Sequence, residues 1–455
     1  MAHDHIIASR AQAQSVVAHT LRSHLIQFLR PVAEHLAAKL DIRLVQTALD
    51  LVQVILTHRH RALGLLLTEL GGYLLSPAQA PAGAKRISNL VHAPDFSADD
   101  IGAFLWQQAR ERVQALEVAG EEVLPVWDGS VWEKPESQAS ADWCVVRSAK
   151  ARRLSRRRKR MTIAHKGPPI LVPGLHWEGL LVSGMDGPPT LAHLEWWTTR
   201  GEHATTQRAV EQCLLDRSDR SATAWGRRVR HIWDRGYAGS GWIQAALAAN
   251  VRFVVRWKKG NKLLDNWGAE RKASAIGRGK RSQSYRYLRD PRTKELIKVG
   301  VVAIPVTLLD HPQPLTLIIA RLGKGREPWY LLTADPISTL ADAWALVLAY
   351  ARRWQIEMVW RYSKSELAFE SPRVWAWDVR LKLLLLATLA YAFLLHLLNQ
   401  SFNVVRALLV RNWCHRTGKR YLEVAAPLYR LRSAISRLWQ AAPPPGYHLP
   451  VLNSG

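Results

Sequence analysis

The sequence predicts a mixed α/β protein: an all-helical N-terminal region, then an α/β core interrupted by a β-rich insertion. Three observations predict it. Residues 1 to about 115 place apolar residues three and four apart, as in LIQFLRPVAEHLAAKL and LVQTALDLVQVILTHRHRALGLLLTELGGYLL. Two later segments, VLPVWDGSVW and VRHIWDRGYAGSGWIQAALAA, run apolar up to an aspartate, Asp128 and Asp234, as a buried strand does with a carboxylate at its exit. Residues 252–333 are rich in Val, Ile, Thr and Tyr and broken by Gly and Pro, the texture of meandering strands.

Each region has its own punctuation. In the helical region, 1–115, Gly71–Gly72 and Pro77 close one helical period, and the connector SPAQAPAGA leads to the basic pair Lys85–Arg86. Ser97 then caps a further helix with acidic residues in its first turn. Such helices with basic turns suit a DNA-reading module; the plainer alternative is a packing domain with solvated charges. The first part of the core, 116–251, holds the Asp128 strand and a run from Arg147 to Lys166 with ten Lys/Arg and no acid, expected to be a loop that contacts phosphate. LHWEGLLVSG and AHLEWWTT then alternate as paired strands around the turn MDGPP. Asp186, in that turn, is the lesser rival to Asp234, because it sits at a hairpin tip. The insertion, 252–333, is dense in Lys/Arg. The second core part, 334–400, turns helical from Thr339, and residues 401–455 form a basic segment ending in the loosely ordered, Pro-rich tail AAPPPGYHLP.

Composition narrows the function. The chain of 455 residues carries 63 Lys+Arg against 37 Asp+Glu, a formal charge of +26. An enzyme of small metabolites has no need of that field, whereas a partner carrying regular phosphates does. Nucleic acid is the leading partner and an anionic membrane surface the weaker one. Cys144, Cys213 and Cys414 are widely separated with no CxxC pair, which excludes a disulfide framework and a cysteine zinc site. No basic-then-apolar signal segment opens the chain, and the apolar run Leu383–Leu398, at sixteen residues, is too short to span a bilayer and reads as a buried helix. The expected location is the cytoplasm. Twenty Trp against seven Phe is unusual; core packing is the first expectation for any one of them, base stacking the second. HRH at 58–60 has no partner at metal-ligand spacing.

The segment ALVLAYARRWQIEMVWRYSKSEL, 345–367, carries the chemistry. On one helix, Tyr350, Arg353, Glu357, Trp360/Arg361 and Lys364 form a single lengthwise stripe, a carboxylate between cations and aromatics. An exposed salt-bridge ladder fits that spacing as well as a site does. Two strand-exit aspartates precede it, however, and three carboxylates meeting at one point repel unless divalent cations lie between them. Hard oxygen ligands select Mg²⁺ or Mn²⁺, two ions of which can activate a hydroxyl and stabilise the leaving oxygen of a phosphodiester.

The run Y-x2-R-x3-E-x6-K, formed by Tyr350, Arg353, Glu357 and Lys364, resembles the Y-R-E-K signature of bacterial insertion-sequence transposases of the DDE class (insertion-sequence family four-like). WDGS at Asp128 and WDRGY at Asp234 resemble that family's first and second aspartate motifs. The resemblance implies a ribonuclease H-like core interrupted before the catalytic glutamate, with Asp128, Asp234 and Glu357 as a catalytic, metal-binding triad. It implies phosphate contacts from Tyr350, Arg353 and Lys364, with Arg361, Arg235, Lys85 and Arg86 as further DNA-binding candidates. It also implies hairpin cleavage with a flipped base held by a tryptophan of the insertion, for which Trp257 and Trp267 are candidates. The expected activity is cut-and-paste transposition, by a homodimer when two ends are synapsed. A catalytically inactive DNA-binding repressor, or a structure-specific nuclease on the same core, are the alternatives.

Overall fold

The computed structural model describes residues 2–58, 64–135, 140–148, 168–224, 229–289, 295–323, 325–414 and 428–444. Most of the basic run after Ser148, the end of the Pro-rich tail and the pair Arg59–His60 lie outside the described residues. His58 stacks on Tyr73, ring centroids 4.5 Å apart.

Five helices open the chain: α1 (Ala2–Ala37), α2 (Ile42–His58), α3 (Leu67–Leu74), α4 (Ala80–Val91) and α5 (Ala98–Val118). The expected cap at Ser97 is a full capping box with Asp100. Asp100 also receives His35 at 2.7 Å and Lys39 at 2.6 Å, which fastens the start of α5 to the end of α1. These helices do not form a core of their own. They share one apolar cluster with α11 (Trp377–His396), α12 (Asn403–Trp413) and α13 (Leu428–Ala441), further along the chain. Trp439 donates to the Ala18 carbonyl, Gln440 to that of Thr57 and Lys382 to that of Ala93. α11 is the one described helix long and apolar enough to cross a membrane, but 89% of its apolar window is buried inside the protein. Its apolar surface meets helices and sheet on every side, which is why it is hydrophobic all round.

Among the described residues a single twelve-stranded sheet runs through the rest, in the order β2-β3-β1-β5-β6-β12-β11-β10-β7-β8, with β4 on β3 and β9 on β10. Its first half holds β1 (Leu124–Glu133), β2 (Cys144–Arg147), β3 (Leu171–Ser183) and β4 (Thr190–Trp197). β3 and β4 pair antiparallel around the MDGPP turn as the alternation predicts. Then follow α6 (Gln207–Ala224), β5 (His231–Trp233), α7 (Ser240–Ala248) and β6 (Phe253–Arg256); β1, β5 and β6 are parallel. The insertion contributes β7 (Lys262–Leu264), β8 (Glu270–Lys272), the short α8 (Ala273–Ile276), β9 (Ser284–Arg289), β10 (Leu296–Leu308), β11 (His311–Arg321) and β12 (Trp329–Thr333). Residues 252–333 are mostly strand and extend the sheet through the β6–β12 pairing. α9 (Leu340–Ala351), capped by Thr339 and Asp342, and α10 (Trp354–Ser365) then cover the sheet.

The sheet's two faces bury different things. One packs on α9–α11 and the helical layer; the other gathers Trp127, Trp233 and Trp242, with ring centroids 5.2–6.3 Å apart. Much of the tryptophan excess is thus core. On the helix-covered face, Trp360 of α10 lies where β3 has no side chain: a Cβ on Gly179 would come within 2.4 Å of the indole. Gly179→Ala should therefore cost about 1–3 kcal/mol by overpacking. A urea midpoint equal to wild type would show that the indole has room to give.

Candidate active site

Two features differ from the sequence expectation. Asp128 does not sit at a strand exit: β1 continues to Glu133, so the carboxylate projects from mid-strand, where Asp128 pairs with Gly179. The 345–367 segment is not one helix either. It breaks at Arg352–Arg353, where backbone bonds tighten to the i→i−3 pattern, Arg352 to Ala349 and Arg353 to Tyr350. Tyr350 ends α9, Arg353 caps α10, and Arg352 swings away to Ser183 and the Gly187 carbonyl. Asp234, by contrast, is where the sequence puts it: after β5, capping the short Arg235–Tyr237 turn, its side chain accepting from the Gly236 amide at 2.5 Å.

The break aims Arg353 at two carboxylates. Its guanidinium pairs with Asp128 at 3.5 Å and with Glu357 one turn on. Asp128 is pushed up to about 8 by burial first, then by the charge of Asp234; Glu357 adds to this and Arg353 opposes it. Asp234 and Glu357 thus both bear on Asp128 from parts of the chain far apart in sequence. Burial works against the charge on Arg353, but Tyr350, Asp128 and Glu357 together hold it above the usual arginine range.

A fourth carboxyl that the sequence does not single out comes near them from the other face of the sheet. Glu178 on β3 pairs with Gly129, and its oxygen fills the space a Gly129 Cβ would need, 2.5 Å away. Tyr237 donates to it at 3.0 Å, and burial foremost pushes its carboxyl up to about 8. The signal existed only as a register: nothing in EGLLVSG says that Glu178 falls opposite the residue after Asp128.

Beside Arg353 and Glu357 opens a cavity of about 660 Å³, lined also by Arg235, Arg256, Arg289 and Arg326, with Trp329, Tyr350 and Trp354 in its wall; Asp128, Asp234 and Glu178 are not part of that wall. Tyr350 is buried, its ring edge-on to Trp329 at 5.1 Å. Neither tryptophan proposed from the sequence is in that wall. Trp257 is buried in the sheet core, and Trp267 is exposed on the β7–β8 hairpin, 5.8 Å from Lys280. The remaining candidates scatter. Lys364 is turned onto β1, donating to Ser130 at 2.9 Å and to the Val131 carbonyl. Arg361 is exposed on α10 and Arg235 exposed beside Asp234. Lys85 is exposed on α4 in the helical layer, but Arg86 turns inward to Thr47 at 2.8 Å and Asp50 at 3.2 Å, a bond within the bundle. Asp186 lines a different cavity, with Arg112 and Glu121.

The carboxylates supply hard oxygen donors, the type that holds Mg²⁺ or Mn²⁺. Among the described residues, no three His, Cys, Asp or Glu side chains are already spaced to grip one ion. Arg353 lies between two of the donors and supplies the positive charge there.

Residues 180–393 match the family model described as the transposase DDE domain, just under half of the chain. The matched stretch contains Asp234, Glu357 and the Tyr350–Lys364 run, and begins after Asp128. The match supports a DDE transposase, a class that acts on DNA and generally uses divalent metal ions.

Proposed function

We propose that the chain is a cut-and-paste DNA transposase of the Y-R-E-K type, built on a ribonuclease H-like core and active as an intracellular homodimer on paired transposon ends. The observation that carries this is the Arg353 guanidinium paired at once with Asp128 of β1 and Glu357 of α10 beside an arginine-lined cavity, with the charge of Asp234 at the end of β5 also bearing on Asp128. A folded protein has no structural use for such a cluster, since it raises the free energy of the charged native state.

Asp128, Asp234 and Glu357 would hold the divalent ions. Bound Mg²⁺ or Mn²⁺ would supply activation of the attacking hydroxyl and stabilisation of the leaving oxygen. The other groups position the strand. Arg353 and the cavity arginines neutralise phosphates, while Lys364, anchored on β1, keeps α10 in register with Asp128. Trp329 and Trp354 offer indole walls on which an unstacked base can lie. Lys85, Arg361 and the basic run after Arg147 add the sequence-independent attraction of a +26 chain.

The test is cleavage of labelled duplexes carrying the inverted repeats that should flank the gene, in Mg²⁺ and in EDTA. End-specific nicking in Mg²⁺ only is expected; nicking of any duplex alike would favour the nuclease reading. Trp329→Ala should retain binding and lose the equivalent of about 1–3 kcal/mol in strand cleavage, the value of one base–aromatic stack. Unchanged cleavage would take Trp329 out of the strand path.

A further inference from the structure

The turn between β11 and β12 brings a carboxylate against two arginines of the cavity wall, Arg235 and Arg256. Glu327 follows Gly323 and Gly325, both in the left-handed backbone region (φ +83° and +78°), and reaches three cations from three other places in the fold. Lys259 lies 3.1 Å from it, Arg235 3.8 Å and Arg256 3.9 Å. Arg235 is the residue after Asp234, Arg256 ends β6, and Lys259 follows in the β6–β7 turn. Arg235 and Arg256 also line the cavity that holds Glu357.

Three cations around one carboxylate leave a surplus of positive charge at a single point. Their geometry, converging from separate elements on one pair of oxygens, is the geometry of an anion site. Its present occupant is weakly held: the Glu327 side chain is 45% exposed, and exposed ion pairs contribute little against competing anions. A DNA phosphate arriving in the cavity brings its own oxygens to the same cations and releases counterions in doing so.

We propose that Arg235, Arg256 and Lys259 form a phosphate subsite for the DNA strand entering the cavity, and that Glu327 occupies it as an internal stand-in until DNA displaces it. This rests on the transposase reading and adds to it a named phosphate contact and a self-masking residue. Glu327 then acts as a competitor, so its loss strengthens DNA binding more than the removal of one negative charge elsewhere does.

The test compares full-length variants in EDTA for binding to a labelled DNA duplex across a salt series. Glu327→Gln should bind roughly three- to tenfold tighter than wild type, the equilibrium worth of one or two exposed ion pairs. Glu202→Gln, the same charge change at an exposed position away from the cluster, sets the baseline. Glu327→Lys should bind at least as tightly as Glu327→Gln and guards against a defect peculiar to one variant. In a Lys259→Met background most of the gain should vanish. Equal gains from Glu327→Gln and Glu202→Gln, or a full gain that survives Lys259→Met, would overturn the subsite. Neither result touches the parent reading, which fails instead if wild type shows no salt-sensitive DNA binding or if Asp234→Asn cleaves normally.

Discussion

Asp128→Asn, Asp234→Asn and Glu357→Gln should each lower DNA cleavage by several orders of magnitude while leaving the fold intact. Each carboxylate supplies charge that an amide of the same shape cannot, and divalent ions held by the set serve both the attacking and the leaving oxygen. DNA binding should persist or tighten, because a negative charge facing phosphate has gone. A salt-bridge ladder forecasts otherwise: Glu357→Gln would then cost a few tenths of a kcal/mol in stability and leave cleavage alone. Near wild-type nicking by a stably folded Glu357→Gln protein would remove Glu357 from the site.

Stability supplies a second, independent readout. Asp128 has its carboxyl raised from 3.8 to about 8 in the folded chain, so the native state binds the more protons between those values. Stability from this group is fully present below about pH 4 and is lost as pH rises through 8. In metal-free buffer, Asp128→Asn should therefore melt higher than wild type at pH 8, with the gap closing as pH falls toward 4. A variant that is both inactive and more stable cannot owe its inactivity to unfolding. An unchanged gap across that pH range would mean that Asp128 is not strained by its neighbours.

The residues that signal through local pattern were legible in the sequence. Asp234 caps a turn directly after a buried apolar triplet, so the strand-then-carboxylate pattern placed it. The helices of 1–115 show their period, and the return to helix from Thr339 coincides with the start of α9. What depended on register or on distant packing was not legible. Asp128 lies mid-strand because β1 continues against β3, a fact set by pairing and not by WDGS itself. The stripe from Tyr350 to Lys364 looked continuous because 3.6-residue periodicity cannot report a tightened turn at Arg352–Arg353. Nothing in the sequence singles out Trp329 or Trp354 among twenty tryptophans; only the fold brings them into one wall with Glu357. The helical N-terminal region looked separable because the helices that complete its core arrive some 260 residues later, from Trp377 onward.

Arg353→Gln should separate the two roles of that guanidinium, raising the affinity for metal while lowering activity. In the free protein Arg353 is the countercharge of Asp128 and Glu357, so it competes with a divalent ion for the same oxygens. Without it the carboxylates repel more strongly, the Asp128 carboxyl moves still higher, and an incoming ion gains more by binding. Added Mn²⁺ should then raise the melting temperature of the variant more than that of wild type. Cleavage should nevertheless fall by about two to three orders of magnitude, the usual cost of losing one charged donor aimed at the reacting group. The loss should be smaller than for Asp234→Asn. The two readouts must move in opposite directions. If Mn²⁺ stabilises the variant less than wild type, Arg353 does not stand in for the metal; if cleavage is unchanged, it does not position phosphate. Arg353→Lys keeps the charge without the planar fork, and it should recover the wild-type Mn²⁺ response more fully than it recovers cleavage.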